Sequence, residues 1–207
     1  MDIVKHLRLR AVTWAAVGAA AVAAASALSL TAASAAPVTS ASSHRAVSFA
    51  LVPSPGIQSC LPHARGVVTI IPGSQNDLMD VTISGMPSHA EFDLFVIEQP
   101  NKPFGVSWYQ TDVDANGNGV GHASVRGIFD RETFSVSPGG TTTFGATHQF
   151  HLGLWFNDPS LPFKLGCEPG QPAPVVTPFN GEQHAGIQVL NTGEFPDNAG
   201  PLSHVHR

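Results

Sequence analysis

Cation chemistry has one candidate stretch in this chain: Asp112-Val113-Asp114-Ala115-Asn116-Gly117-Asn118-Gly119. Asp112, Asp114 and Asn116 place side-chain oxygens at alternate positions, and a glycine follows where a calcium loop needs its sharp turn. The stretch therefore matches the first half of such a loop, with Asn118 as a further oxygen donor. The second half is missing. Val120 holds the ninth position, Ala123 stands where a bidentate glutamate would close the shell, and Asp130 or Glu132 could reach a cation only if the hairpin folded over. The competing reading is a hairpin tip in which Asn116-Gly117 serves the backbone, since both residues tolerate positive φ. The expectation is no cofactor, with weak Ca2+ binding at Asp112, Asp114, Asn116 and Asn118 as the alternative.

Histidine and tryptophan supply the other candidates. His148 and His151 are three apart, which on a strand sends them to opposite faces and denies them a shared metal unless a bulge intervenes. His204-x-His206 does align two rings, but close to the chain end. Trp108 continues a row with Phe104 and Val106 and reads as core. Trp155 and His151 lie opposite the Phe150, Leu152, Leu154, Phe156 row, so they are the candidate ligand-binding pair, Trp155 as a platform for a sugar ring; packing is the competing account of Trp155. Nucleophile elbows, H-E-x-x-H and phosphate-cradling glycine loops are all absent. A carboxylate pair or a triad assembled from distant residues stays open.

Composition bounds the setting of any such chemistry. Residues 1–35 carry Lys5, Arg8 and Arg10, then an uncharged apolar run, then Ala33-Ser34-Ala35, the order expected of a secretory signal. Removing them lowers the acids from 15 to 14 and Lys plus Arg from 10 to 7, for a net charge near −7. A nucleic-acid partner lacks its electrostatic footing on such a surface. No second apolar run is long enough to span a bilayer. Cys60 and Cys167 are the two cysteines, and in an oxidising compartment they are expected to form one disulfide.

Period-two alternation dominates the elements that must position these residues. Met79, Val81 and Ile83 share a face against Asp80, Thr82 and Ser84; Phe92, Leu94 and Val96 repeat the pattern on a strand apolar enough on both sides to be central. Seven to nine short strands, 37 Gly and Pro residues together, and no sustained helical spacing predict an all-β fold, an antiparallel β-sandwich of immunoglobulin or jelly-roll type, with an eight-stranded barrel as the alternative. The predicted organisation is a signal at 1–35, a flexible lead at 36–59 in which Val47 to Val52 offers a weak strand, one domain at 60–202, and a tail at 203–207. Asn157 to Gln183 reads as a long surface loop tied down through Cys167.

Ile83-Ser84-Gly85-Met86-Pro87, Phe92 to Ile97, Leu154-Trp155-Phe156-Asn157-Asp158-Pro159 and Gly186 to Thr192, with Ala199 to Leu202, together resemble a group of small secreted bacterial β-sandwich proteins with no assigned activity. The resemblance spans Arg65 to Leu202. It implies export and a β-rich domain, and it carries over no catalytic or binding residue. The functional expectation is a secreted, non-enzymatic module with a binding or cell-envelope structural role, its extracellular partner a carbohydrate or an envelope component. The alternatives are a secreted hydrolase acting on carbohydrate and a weak calcium-binding module.

Overall fold

The computed structural model describes residues 45–129, 150–179 and 182–206, and the backbone of two short strands at 134–136 and 142–144. The predicted signal segment and His148 lie outside the described residues. The strands are β1 (Val47–Pro53), β2 (Arg65–Ile71), β3 (Asp77–Ser84), β4 (Glu91–Ile97), β5 (Ser107–Asp114), β6 (Gly121–Gly127), β7 (Phe134–Val136), β8 (Thr142–Phe144), β9 (His151–Phe156) and β10 (Gln188–Asn191). One short helix, α1 (Ser160–Lys164), lies in the segment after β9.

Eight strands form one sheet in the order β5-β4-β9-β10-β1-β2-β3-β6, every neighbour antiparallel, with β7 and β8 as a separate ribbon. Its two end strands are consecutive in the chain and meet through an Ala115–Gly121 bridge at the hairpin, so the sheet is a nearly closed barrel. The all-β expectation holds, and the barrel takes the place of the sandwich. The reason lies in β1: residues 47–51 pair with β2, whereas Val52 and Pro53 pair with β10. One strand thus belongs to both halves, and what would be two facing sheets become one curved sheet.

The strand read weakly at Val47 to Val52 forms as β1, and Phe49 and Leu51 enter the core from it. Likewise the C-terminal tail is anchored: Leu202 and Val205 are buried, with a 3-10 turn at Pro201–His204 between them and β10.

The interior is filled by the residues that alternation selects, including Met79, Val81 and Ile83 from β3, Phe92 and Leu94 from β4, and Leu152, Leu154 and Phe156 from β9. Each such side chain contributes about 1.5–3 kcal/mol on burial. β4 and β9 are buried on both faces, β4 from its second residue onward. Their outer faces carry a second cluster, Phe95, Ile97, Trp155, Phe179 and Ala185, with Phe104 packed against it. Two of its members, Phe179 and Ala185, come from the 157–187 segment, which therefore acts as a strap over the barrel wall. Phe104 reaches the cluster from the turn before β5, since Gly105 at φ +70° ends the extended run and the strand starts only at Ser107. Trp108, expected in the core, is 39% exposed.

Candidate functional site

Two β-bulges assemble the outer face under the strap. In β5 the register passes from Leu94↔Thr111 to Phe95↔Tyr109, which makes Gln110 an extra residue. Tyr109 and Asp112, three apart, are thereby brought to the same side of the sheet, where the Tyr109 hydroxyl donates to Asp112 Oδ1 at 2.8 Å. In β10 the register shifts between Gln188↔Trp155 and Leu190↔Leu154, leaving Val189 as the extra residue. The result is a lateral row across four strands, Gln188–Trp155–Asp93–Asp112, each paired with the next.

Trp155 is the centre of that row and is 0% exposed. Phe95, Phe104 and Phe179 surround its indole at ring-centroid distances of 5.5, 4.9 and 4.9 Å, while Phe95 and Phe179 stack at 4.2 Å. Gly153 makes the arrangement possible, because a Cβ there would lie 2.3 Å from the indole. Trp155, read from the sequence as a sugar platform or as packing, presents no exposed surface in this arrangement. His151 is buried as well, with Nδ1 2.9 Å from Thr192 Oγ1 and Nε2 within reach of the Pro196 and Asp197 carbonyls, so it ties the turn after β10 to β9. Burial lowers its pKa, partly opposed by those hydrogen bonds.

Carboxylates gather at the other end of the row. Asp93 is 2% exposed, and its pKa is raised to about 7, first by burial and then by repulsion from Glu182 of the strap and from Asp112, which also hydrogen-bonds with it. Glu91 and Asp114, paired across the same two strands, extend the acidic surface. Tyr109 has its phenol pKa pushed up by burial and by the hydrogen bond to Asp112. Asp112 and Asp114 thus belong to β5 and lie outside the turn. Asn116 Oδ1 accepts the N–H groups of Asn118 and Val120, which closes the hairpin tip. Among the described residues no group of three or more His, Cys, Asp or Glu side chains is placed to hold a metal ion.

At the far end of the row, beside Gln188, the strap leaves a cleft of about 490 Å³. Ser54 to Gly56 form one wall and Cys167 to Pro169 another; Asn101, Lys102 and Phe104 come from the β4–β5 turn, and Val175, Thr177, Ile187 and Gln188 complete it. The Cys60–Cys167 disulfide forms as expected and joins the segment after the first wall to the second, with Cα atoms 5.1 Å apart. Buried Gln188 and Ser54 line the cleft, with Asn191 behind them. Gln188 Oε1 accepts from Ser54 Oγ at 2.9 Å and from Asn191 Nδ2 at 3.0 Å, and Asn191 Nδ2 also donates to the Pro100 carbonyl at 3.0 Å. Glu168 is 8% exposed; its Oε2 accepts the Val175 N–H at 2.9 Å, and its Oε1 is buried without a hydrogen-bond partner among the described residues.

Comparison of the chain with protein-family models and with curated proteins finds no match in either. The site therefore stands on its geometry. Of the residues singled out from sequence, the structure brings Asp112 beside Asp93 and Cys60 to Cys167, and it buries Trp155 and His151 as supports. Glu168, Gln188 and Lys102 carry no motif. The signal available for Glu168 was its place next to a disulfide cysteine in a Pro/Gly-rich segment, where a charged side chain has little local reason to be buried.

Proposed function

We propose that this protein is an exported, non-enzymatic β-barrel module that binds a small extracellular ligand in the cleft between the strap and the barrel wall. The observation that carries the reading is the cleft itself: a concavity in the size range of small-molecule sites, apolar at Phe104, Val175 and Ile187, with buried polar groups from Glu168, Gln188 and Ser54 converging on it. The disulfide holds its two walls together, which keeps the site formed without ligand. A disulfide is compatible with an oxidising compartment, and no helix among the described residues is long and apolar enough to cross a membrane. Export is part of the proposal, resting also on the basic and apolar start of the chain.

The test is ligand-observed NMR with a panel of small amphiphiles, comparing the unaltered protein with Val175→Trp. That substitution fills the cleft and keeps the backbone N–H bonded to Glu168. Binding that disappears in the variant, with an unchanged melting temperature, supports the cleft. Equal binding by both proteins places the ligand elsewhere.

A hydrolase acting on carbohydrate is favoured by one observation, the Asp93–Asp112 pair, in which burial and the neighbouring carboxylates raise the Asp93 pKa to about 7. Against it stand the burial of Asp93 and the absence of an exposed face on Trp155. Turnover of chromogenic glycosides that is abolished by Asp93→Asn would establish it.

A further inference from the structure

Glu168 is the one acidic side chain lining the cleft. A carboxylate offers about four acceptor sites, and buried acceptors in native proteins are nearly always used. Here one oxygen takes the Val175 N–H and the other, equally buried, takes nothing from the described residues. No cation compensates it either: among the described residues no Lys, Arg or His lies within ion-pair distance of Glu168, and Lys102, the basic side chain of the cleft, is exposed. A buried carboxylate with neither a countercharge nor a second donor is costly unless a bound group provides them.

Resting on the binding reading above, the geometry points to a compact organic cation as the ligand: an apolar body carrying a primary ammonium group, with the ammonium on Glu168 Oε1. The ammonium supplies donor and countercharge together. Phe104, Val175, Ile187 and Pro55 line the same cleft and offer apolar surface to an alkyl body. A neutral alcohol brings the donor without the charge. An anion is opposed by Glu168 and by the chain's net charge of −5.

Hexylammonium, 1-hexanol and hexanoate share a chain length and differ in the head group. Each is titrated into the isotope-labelled, disulfide-intact protein while backbone amide shifts are followed. Hexylammonium is expected to move the amides of Gly56, Glu168, Val175 and Gln188, and to bind roughly ten- to hundredfold more tightly than hexanol, the range for a charge-assisted hydrogen bond. Glu168→Gln is expected to bring it down to the level of hexanol. The ranking of the three probes on the unaltered protein holds as a test whether or not that variant folds. Hexanol or hexanoate binding at the same amides as tightly as hexylammonium overturns the cation and leaves the cleft standing. No shift at those amides with any of the three overturns both.

Discussion

Asp93 and Asp112 stand directly opposite each other across β4 and β5, hydrogen-bonded through their side chains, one carboxyl buried beneath the strap and the other exposed. Like charges in direct opposition destabilise a sheet pair. Here a proton retained by Asp93 relieves the repulsion, and Glu182, carried by the strap, is held close to the same pair.

The pH dependence of stability follows. Asp93 rises from an ordinary value of 3.8 to about 7 on folding, so between those values the folded state holds a proton that the unfolded chain has released. Stability from this group is full at low pH, falls as pH climbs from about 4 to 7, and is level above that. Asp93→Asn mimics the protonated form and removes the dependence. The variant is expected to be more stable than the unaltered protein by about 1–3 kcal/mol at pH 8, with the difference shrinking toward pH 4. His151 works in the opposite direction, losing stability as pH drops through 6.5, so the difference between the two proteins is the quantity to follow. Urea melts from pH 4 to 9 measure it; a difference that does not vary with pH would mean that Asp93 is ionised throughout.

Loss of the disulfide acts on both ends of the cleft. Cys60 and Cys167 are separated by 107 residues, for which loop-closure entropy predicts about 4–5 kcal/mol of stabilisation as an upper value. Cys60→Ala with Cys167→Ala is expected to lower the melting temperature and to expose the strap to limited proteolysis ahead of the barrel strands, because it would then be held by noncovalent packing alone, at Leu161, Pro162, Phe179, Ala185 and Ile187. Cleavage first within β2 or β3 would show that the bridge protects the barrel as a whole.

Legibility divided along the strands. Period-two alternation located β3 and β4 to within a few residues, because their inward rows, Met79-Val81-Ile83 and Phe92-Leu94-Val96, keep the period unbroken. It misread Trp108 as core, since the strand starts only at Ser107, and bulges at Gln110 in β5 and Val189 in β10 break the period that such reading assumes. Asp112 and Asp114 were legible as carboxylates two apart. Their partner Asp93 was hidden in an apolar run, and nothing local shows that it pairs with Asp112. The cleft was illegible for a related reason: its walls come from four separated segments, joined by a disulfide whose existence the sequence predicts and whose consequences only the fold defines.

Trp155 and Trp108 give a spectroscopic test of the outer cluster. Trp155 is fully buried among three phenylalanines, and Trp108 is substantially exposed. In protein lacking residues 1–35, which hold the third tryptophan, Trp14, Trp108→Phe is expected to leave blue-shifted emission that iodide quenches poorly, whereas Trp155→Phe is expected to leave red-shifted, readily quenched emission. Trp155→Ala should cost about 3–5 kcal/mol through the cavity it leaves. Ready quenching in Trp108→Phe would mean that the strap does not cover the indole.

The hairpin tip separates backbone duty from cation binding. Asn116 Oδ1 takes two backbone N–H groups, at 2.9 Å from Asn118 and 3.2 Å from Val120, and its own N–H and carbonyl close the turn with Val120 and Gly119. A side chain so engaged works as an Asx cap on the turn, and a calcium ion would need six to eight oxygens at about 2.3–2.6 Å, Asp112 and Asp114 among them. Those two residues sit within β5, paired across the strands with Asp93 and Glu91, and Asp112 accepts the Tyr109 hydroxyl. Asn116→Ala is therefore expected to lower stability by about 1 kcal/mol, the usual scale of such a side-chain to backbone bond, by the same amount with and without millimolar Ca2+. Calorimetry decides the matter: a Ca2+-dependent rise in melting temperature that Asn116→Ala abolishes would assign the tip to the ion, since a turn held only by its own hydrogen bonds has no means of sensing one.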